Sequence, residues 1–130
     1  MNRKNVFRQV CQHAMSMTRR AMLNDSCSYR SPSGPCLIGS LIHDEHYNTE
    51  FENEGANHEL VIEALRKSNV VIKRHQDLDL LSEIQEAHDN IDTDDDGYAP
   101  NFKSELRNNL MYVAERYNIP FPRFYKAIKD

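Results

Sequence analysis

The sequence predicts a mainly α domain of the α+β type, with four to five amphipathic helices packed with a small β-hairpin around residues 27–40. Three observations carry that prediction. Apolar residues recur at three- and four-residue steps through most of the chain. Turn-forming residues crowd into one stretch, 27–47, which holds two of the four glycines and two of the five prolines. At 130 residues, 39% of them apolar, the chain suffices to bury one core across residues 1–130.

Residues 3–22 form the first expected helix, with Phe7, Val10, Cys11, Ala14, Thr18, Ala21 and Met22 as its stripe. Asn2 can cap it and Asn24-Asp25-Ser26 ends it. Met15, Met17 and Met22 suit flexible filling of a core. Cys27-Ser28-Tyr29-Arg30 is a short strand, followed by the dense turn Ser31-Pro32-Ser33-Gly34-Pro35. The apolar run 36–42 fits strand or buried helix. It is read here as a second hairpin arm running into a helical turn near Gly39.

Residues 48–57 read as loop and 58–68 as helix, with Leu60, Val61, Ala64 and Leu65 on one face. Val70-Val71-Ile72 is a third strand or a buried connector. Residues 77–91 give the clearest amphipathic helix, with Leu80, Leu81, Ile84, Ala87, His88 and Ile91 on one side and Asp77 as expected N-cap. After the acidic loop 92–100, helix resumes over 101–117 on Phe102, Leu106, Leu110, Val113 and Tyr117, with Asn101 as cap. Asn118-Ile119-Pro120 breaks it, and Phe121 to Ile128 form a last short helix.

No apolar run approaches the ~20 residues of a membrane span, and the N-terminus has no apolar signal core. A cytosolic chain is therefore expected. Three cysteines, an odd number, do not suggest a disulfide framework there. Cys11 lies in a helical stripe and reads as a small buried hydrophobe.

The net charge of −4 conceals an asymmetry. Residues 1–30 carry six Lys or Arg and only Asp25, whereas 44–63 carry seven acids and 77–96 nine, neither with a Lys or Arg. That layout fits solvated helix faces. It also fits an acidic surface that competes for a basic, nucleic-acid-binding partner. Overall acidity argues against direct binding of nucleic acid.

Three constellations could carry chemistry. Asp92, Asp94, Asp96 and Gly97 match positions one, three, five and six of a calcium loop. The twelfth position is Lys103, where a bidentate glutamate is needed, so a solvated loop is the simpler reading. Cys36, at the start of a turn after Gly34-Pro35, could be a thiol nucleophile of a hydrolase or transferase, with His88 as base and Asp89 beside it. The simpler alternative makes His88 a core histidine on the Leu81/Ile84 stripe. Cys27, Cys36, His43 and His46 offer four zinc donors, but with no close cysteine pair to form a knuckle.

Cys27-x-Tyr29-Arg30-x-Pro32-x-Gly34, then Cys36-Leu37-Ile38-Gly39-x-Leu41-Ile42 and Tyr47, resembles the signature of a family of small uncharacterised bacteriophage and prophage proteins. The later segment Ile84-Gln85-Glu86-Ala87-His88-Asp89 is similar to one in the same family. The resemblance implies a phage setting and a host-cytoplasm location, and brings no activity with it. Together with the charge layout it leads to the expectation of a non-enzymatic protein of host takeover or anti-defence, such as a CRISPR inhibitor. Its partner would be a basic host protein, met through Asp44, Glu45, Glu50, Glu52, Glu54, Asp92, Asp94, Asp95 and Asp96. No cofactor is expected, no membrane is involved, and a homodimer is compatible.

Overall fold

The computed structural model describes residues 1–24 and 26–126. Helix α1 spans Arg3–Ser16, with the Asn2 side chain accepting from the Asn5 N–H at 3.0 Å as a cap should. It stops short of residue 22 because the next segment finds better partners elsewhere. The Arg20 N–H donates to Gly97 O at 2.8 Å and the Ala21 N–H to His88 Nε2 at 3.0 Å. Met17 and Ala21 are buried along this extended path.

The chain then makes a two-stranded antiparallel hairpin, β1 (Met22–Leu23) with β2 (Ser26–Cys27). Asn24 takes the left-handed φ of 52° that the tight turn requires. A hairpin is thus present, but it lies upstream of the expected 27–40 region. Residues 31–34 form a turn, closed by the Gly34 N–H on Ser31 O. Residues 36–42 coil instead of pairing: Ser40 N–H reaches Cys36 O at 2.9 Å and a 3₁₀ turn covers Gly39–Leu41. Two further 3₁₀ turns, Asp44–His46 and Thr49–Phe51, order a stretch that reads as polar loop.

Helix α2 (Glu59–Lys67) is capped by His58 and ends at Ser68, with Asn69 in the left-handed region. Val70 is a buried connector and no third strand forms among the described residues. Helix α3 (His75–Asp89) starts before Asp77, so Asp77 is not its cap. Instead Asp77 is buried in the first turn, paired with Arg3 Nε at 2.8 Å. Burial alone would raise its carboxyl pKa. The Arg3 guanidinium and the Lys73 and Arg74 N–H groups outweigh that and hold it below the usual value.

Helix α4 (Phe102–Arg116) follows the acidic loop, and Asn101 makes no side-chain cap bond. Helix α5 (Arg123–Lys126) closes the described chain; Ile128 lies outside the described residues. Helices α3 and α4 pack face to face, and α1 packs on α4, α5 and the Gly39–Leu41 turn. Leu80, Leu81, Ile84, Leu106 and Leu110 are fully buried at the centre. Each contributes about 1.5–3 kcal/mol over exposure.

Candidate functional site

The 28–52 segment is clamped by two charged side chains. Arg30 lies with its guanidinium inside the coil: it donates to Gly39 O at 2.7 Å, to Ile42 O at 2.8 Å and to Asp44 Oδ1 at 3.1 Å. Its face covers the Tyr47 ring at 5.0 Å. Glu52 closes the other side. Its carboxylate accepts from the Tyr29 N–H at 2.8 Å, from the Arg30 N–H at 3.2 Å and from the Tyr47 hydroxyl. Burial, and then this carboxylate, push the Tyr47 hydroxyl up to about 12. Phe51 is wedged edge-on between Tyr29 and Tyr47. Gly39 sits so close beneath that a Cβ there would come within 2.3 Å of Tyr29 O. Tyr29, Arg30, Gly39 and Tyr47 therefore have architectural duties: all four belong to this clamp.

Cys36, His88 and Asp89 do fall in one hydrogen-bonded chain, but not as nucleophile and base. Cys36 Sγ is fully buried; it accepts from the Gly39 N–H at 3.3 Å and meets Gln85 Oε1 at 3.5 Å. Gln85 Nε2 then donates to Asp89, whose Oδ1 lies 2.6 Å from His88 Nδ1. Gln85 thus stands between the thiol and the imidazole–carboxylate pair. Burial pushes the Cys36 thiol up to about 12, away from the thiolate a nucleophile needs. His88 is fully buried, and its Nε2 accepts from the Ala21 N–H, so Nδ1 carries the proton. With both ring nitrogens committed, His88 has none left to act as a base. The core-histidine alternative describes it.

The four zinc donors do not converge among the described residues. The Cys27 ligand atom lies near those of His88 and Asp89, while His43 and His46 lie with Glu45. Cys36 is sealed in the core and all three cysteines are free thiols. Cys27 is half-buried; burial first, and Asp89 beside it, push its thiol up to about 11. Cys11 is fully buried, as expected of a small hydrophobe. Asp94 turns one carboxylate oxygen into its own loop: Oδ1 accepts from the Asp96 N–H at 3.0 Å and the Tyr98 N–H at 2.9 Å. Asp92, Asp94 and Asp96 do not bring three ligand oxygens together.

The nine expected partner-binding acids divide into four groups. Glu52 is turned inward as described and Asp94 is turned into its loop. Asp44, with its side chain almost wholly exposed, is paired with Arg30. Glu45 and Glu54 face solvent beside His46 and His58, at 3.8 and 3.9 Å. Glu50, Asp92, Asp95 and Asp96 are exposed, and no described Lys or Arg lies within ion-pair reach of their carboxylates.

The two acidic segments flank the hairpin. Thr49, Glu52 and Asn53 line one groove with Leu23 and Asn24. Gly97 docks on the other side so closely that a Cβ would come within 2.3 Å of Arg20 O. Between them lies a cleft of about 310 Å³ lined by Cys27, Ser28, Tyr29, Glu54, Gln85 and Asp89. Arg19 tempers the loop charge, with its guanidinium stacked on Tyr98 at 4.9 Å.

Sequence reasoning missed the joint role of Arg30 and Glu52 and the linking role of Gln85. A lone arginine directly before a Ser-Pro-Ser-Gly-Pro turn was the available signal for the first. No helix among the described residues is long and apolar enough to cross a membrane. No family model, no curated protein and no solved structure matches the chain.

Proposed function

We propose that the chain is a phage-encoded, non-enzymatic binding protein of host takeover or anti-defence type, an inhibitor in the manner of anti-CRISPR proteins. It acts in the host cytoplasm by occupying a basic surface of a host protein. The observation that carries this reading is the set of exposed carboxylates, Glu50, Asp92, Asp95 and Asp96, with no described Lys or Arg within ion-pair reach of them. Carboxylates left free on a well-packed scaffold steer encounter with a positive surface and raise the on-rate. The loop bearing three of them is braced by its Asp94 turn and by the Arg20–Gly97 bond, so little ordering entropy opposes binding. The burial of Cys36 and the commitment of both His88 nitrogens weigh against the thiol-enzyme alternative.

The test is capture of the partner from host extract, its identification, and reconstitution of the complex from purified proteins. A saturable complex with a basic-surfaced protein is expected, weakening steeply as salt shortens the screening length below about 8 Å. A complex indifferent to salt, or a captured partner without a basic face, contradicts the reading.

A further inference from the structure

His43 and His46 lie three residues apart across the Asp44–His46 turn, with their rings stacked at 6.3 Å and 29°. The ligand atoms of His43, Glu45 and His46 all fall within 4.8 Å of one another. His43 and Glu45 are exposed and the His46 side chain is about a quarter exposed, so solvent reaches the group.

The backbone beneath is held on every side. The His46 N–H donates to His43 O at 2.9 Å and the Tyr47 N–H to Asp44 O at 3.2 Å. The His43 N–H is anchored on buried Ser68 Oγ at 2.9 Å, and Arg30 grips Ile42 O and Asp44. His46 Nε2 and Glu45 Oε1 already lie 3.8 Å apart, and metal bonds of about 2.0–2.2 Å ask the most distant donors to close by up to roughly 1–1.5 Å.

We propose that His43, Glu45 and His46 form a surface site for zinc(II), with a fourth position open to water or to a partner's side chain. Two imidazole nitrogens and one carboxylate oxygen are a borderline donor set that suits this ion. The competing cluster, Cys27, His88 and Asp89, lacks a free imidazole. Its His88 Nε2 accepts from the Ala21 N–H and its Nδ1 proton faces Asp89 at 2.6 Å, so a metal there would have to displace that proton. The exposed pairs His58–Glu54 and His75–Asp79 offer one imidazole each.

The test is calorimetric titration of the chelator-stripped whole chain with zinc, alongside cobalt(II) absorption. One equivalent should bind. His43→Ala and His46→Ala should each weaken binding at least about tenfold, with far-UV circular dichroism unchanged. Cys27→Ser and His75→Ala should bind as the parent does, and the cobalt spectrum should show no thiolate charge-transfer band. Absence of binding, binding that survives His43→Ala, or a thiolate band lost in Cys27→Ser would each overturn the proposal; the last would place the ion at the buried cluster.

Discussion

Glu52 and Asp95 are both acids in acid-rich segments, and the fold puts them to opposite uses. Glu52 is half-buried and ties two backbone N–H groups and a tyrosine hydroxyl to one carboxylate. Asp95 is exposed, with no described Lys or Arg in ion-pair reach. The contrast extends to their surroundings. The 28–52 segment spends two of its charges, Arg30 and Glu52, on holding a short coil in shape and leaves Asp44, Glu45 and Glu50 at the surface, whereas the 92–98 loop spends one, Asp94, and leaves three at the surface. Charge density along the chain does not separate the two cases. The supply of nearby N–H donors does, because a buried carboxylate persists only where hydrogen bonds replace its water.

Substitutions in the clamp should break the first half of this contrast most severely. Arg30→Ala leaves the carbonyls of Gly39 and Ile42 without their donor, and Glu52→Ala does the same to the N–H groups of Tyr29 and Arg30. Each should cost about 3 kcal/mol in urea unfolding, and Arg30→Lys should recover little because an ammonium cannot span the same carbonyls. Gly39→Ala drives a methyl against Tyr29 O and should cost about 2 kcal/mol by the same measurement. Cys36→Ser keeps an acceptor for the Gly39 N–H but buries a more polar atom, so about 1–2 kcal/mol is expected.

A smaller effect distinguishes the Arg3–Asp77 pair. The Asp77 carboxyl is held below its ordinary value of 3.8. Its contribution is therefore complete above that pH and lost as pH falls through the lower folded value. Arg3→Ala should cost about 1 kcal/mol at neutral pH. It should also flatten the loss of stability between about pH 5 and the acid limit, as read from urea midpoints at each pH. Asp92→Asn, Asp95→Asn and Asp96→Asn should each change stability by less than about 0.5 kcal/mol. A large cost at Asp95 would sharpen the contrast out of existence.

Much of the helical frame was legible because the stripes of Leu80, Leu81, Ile84 and of Leu106, Leu110, Val113 are local patterns set by helix geometry. The end of α1 was not. Ala21 and Met22 continue the apolar spacing, yet the backbone of Arg20 and Ala21 is claimed by Gly97 and His88, far away in the chain. The hairpin moved upstream for the same reason. At the site, the buried His88 could be read from its place on the Ile84 stripe. The inward turn of Glu52 could not, since its two backbone N–H donors are more than twenty residues away. The match of Asp92, Asp94 and Asp96 to a calcium loop rests on spacing alone. Asp94 closes its own turn with Oδ1, and the three carboxylates do not converge.

Affinity of the reconstituted complex decides whether the free carboxylates are the recognition surface. The parent chain, the combined Asp92→Asn, Asp95→Asn, Asp96→Asn variant and Cys36→Ser should be titrated with the captured partner at low and high salt. The charge-stripped variant should bind several-fold more weakly at low salt and approach the parent at high salt, while Cys36→Ser binds as the parent throughout. Equal affinity of the parent and the charge-stripped variant at both salts would contradict an acid-led interaction.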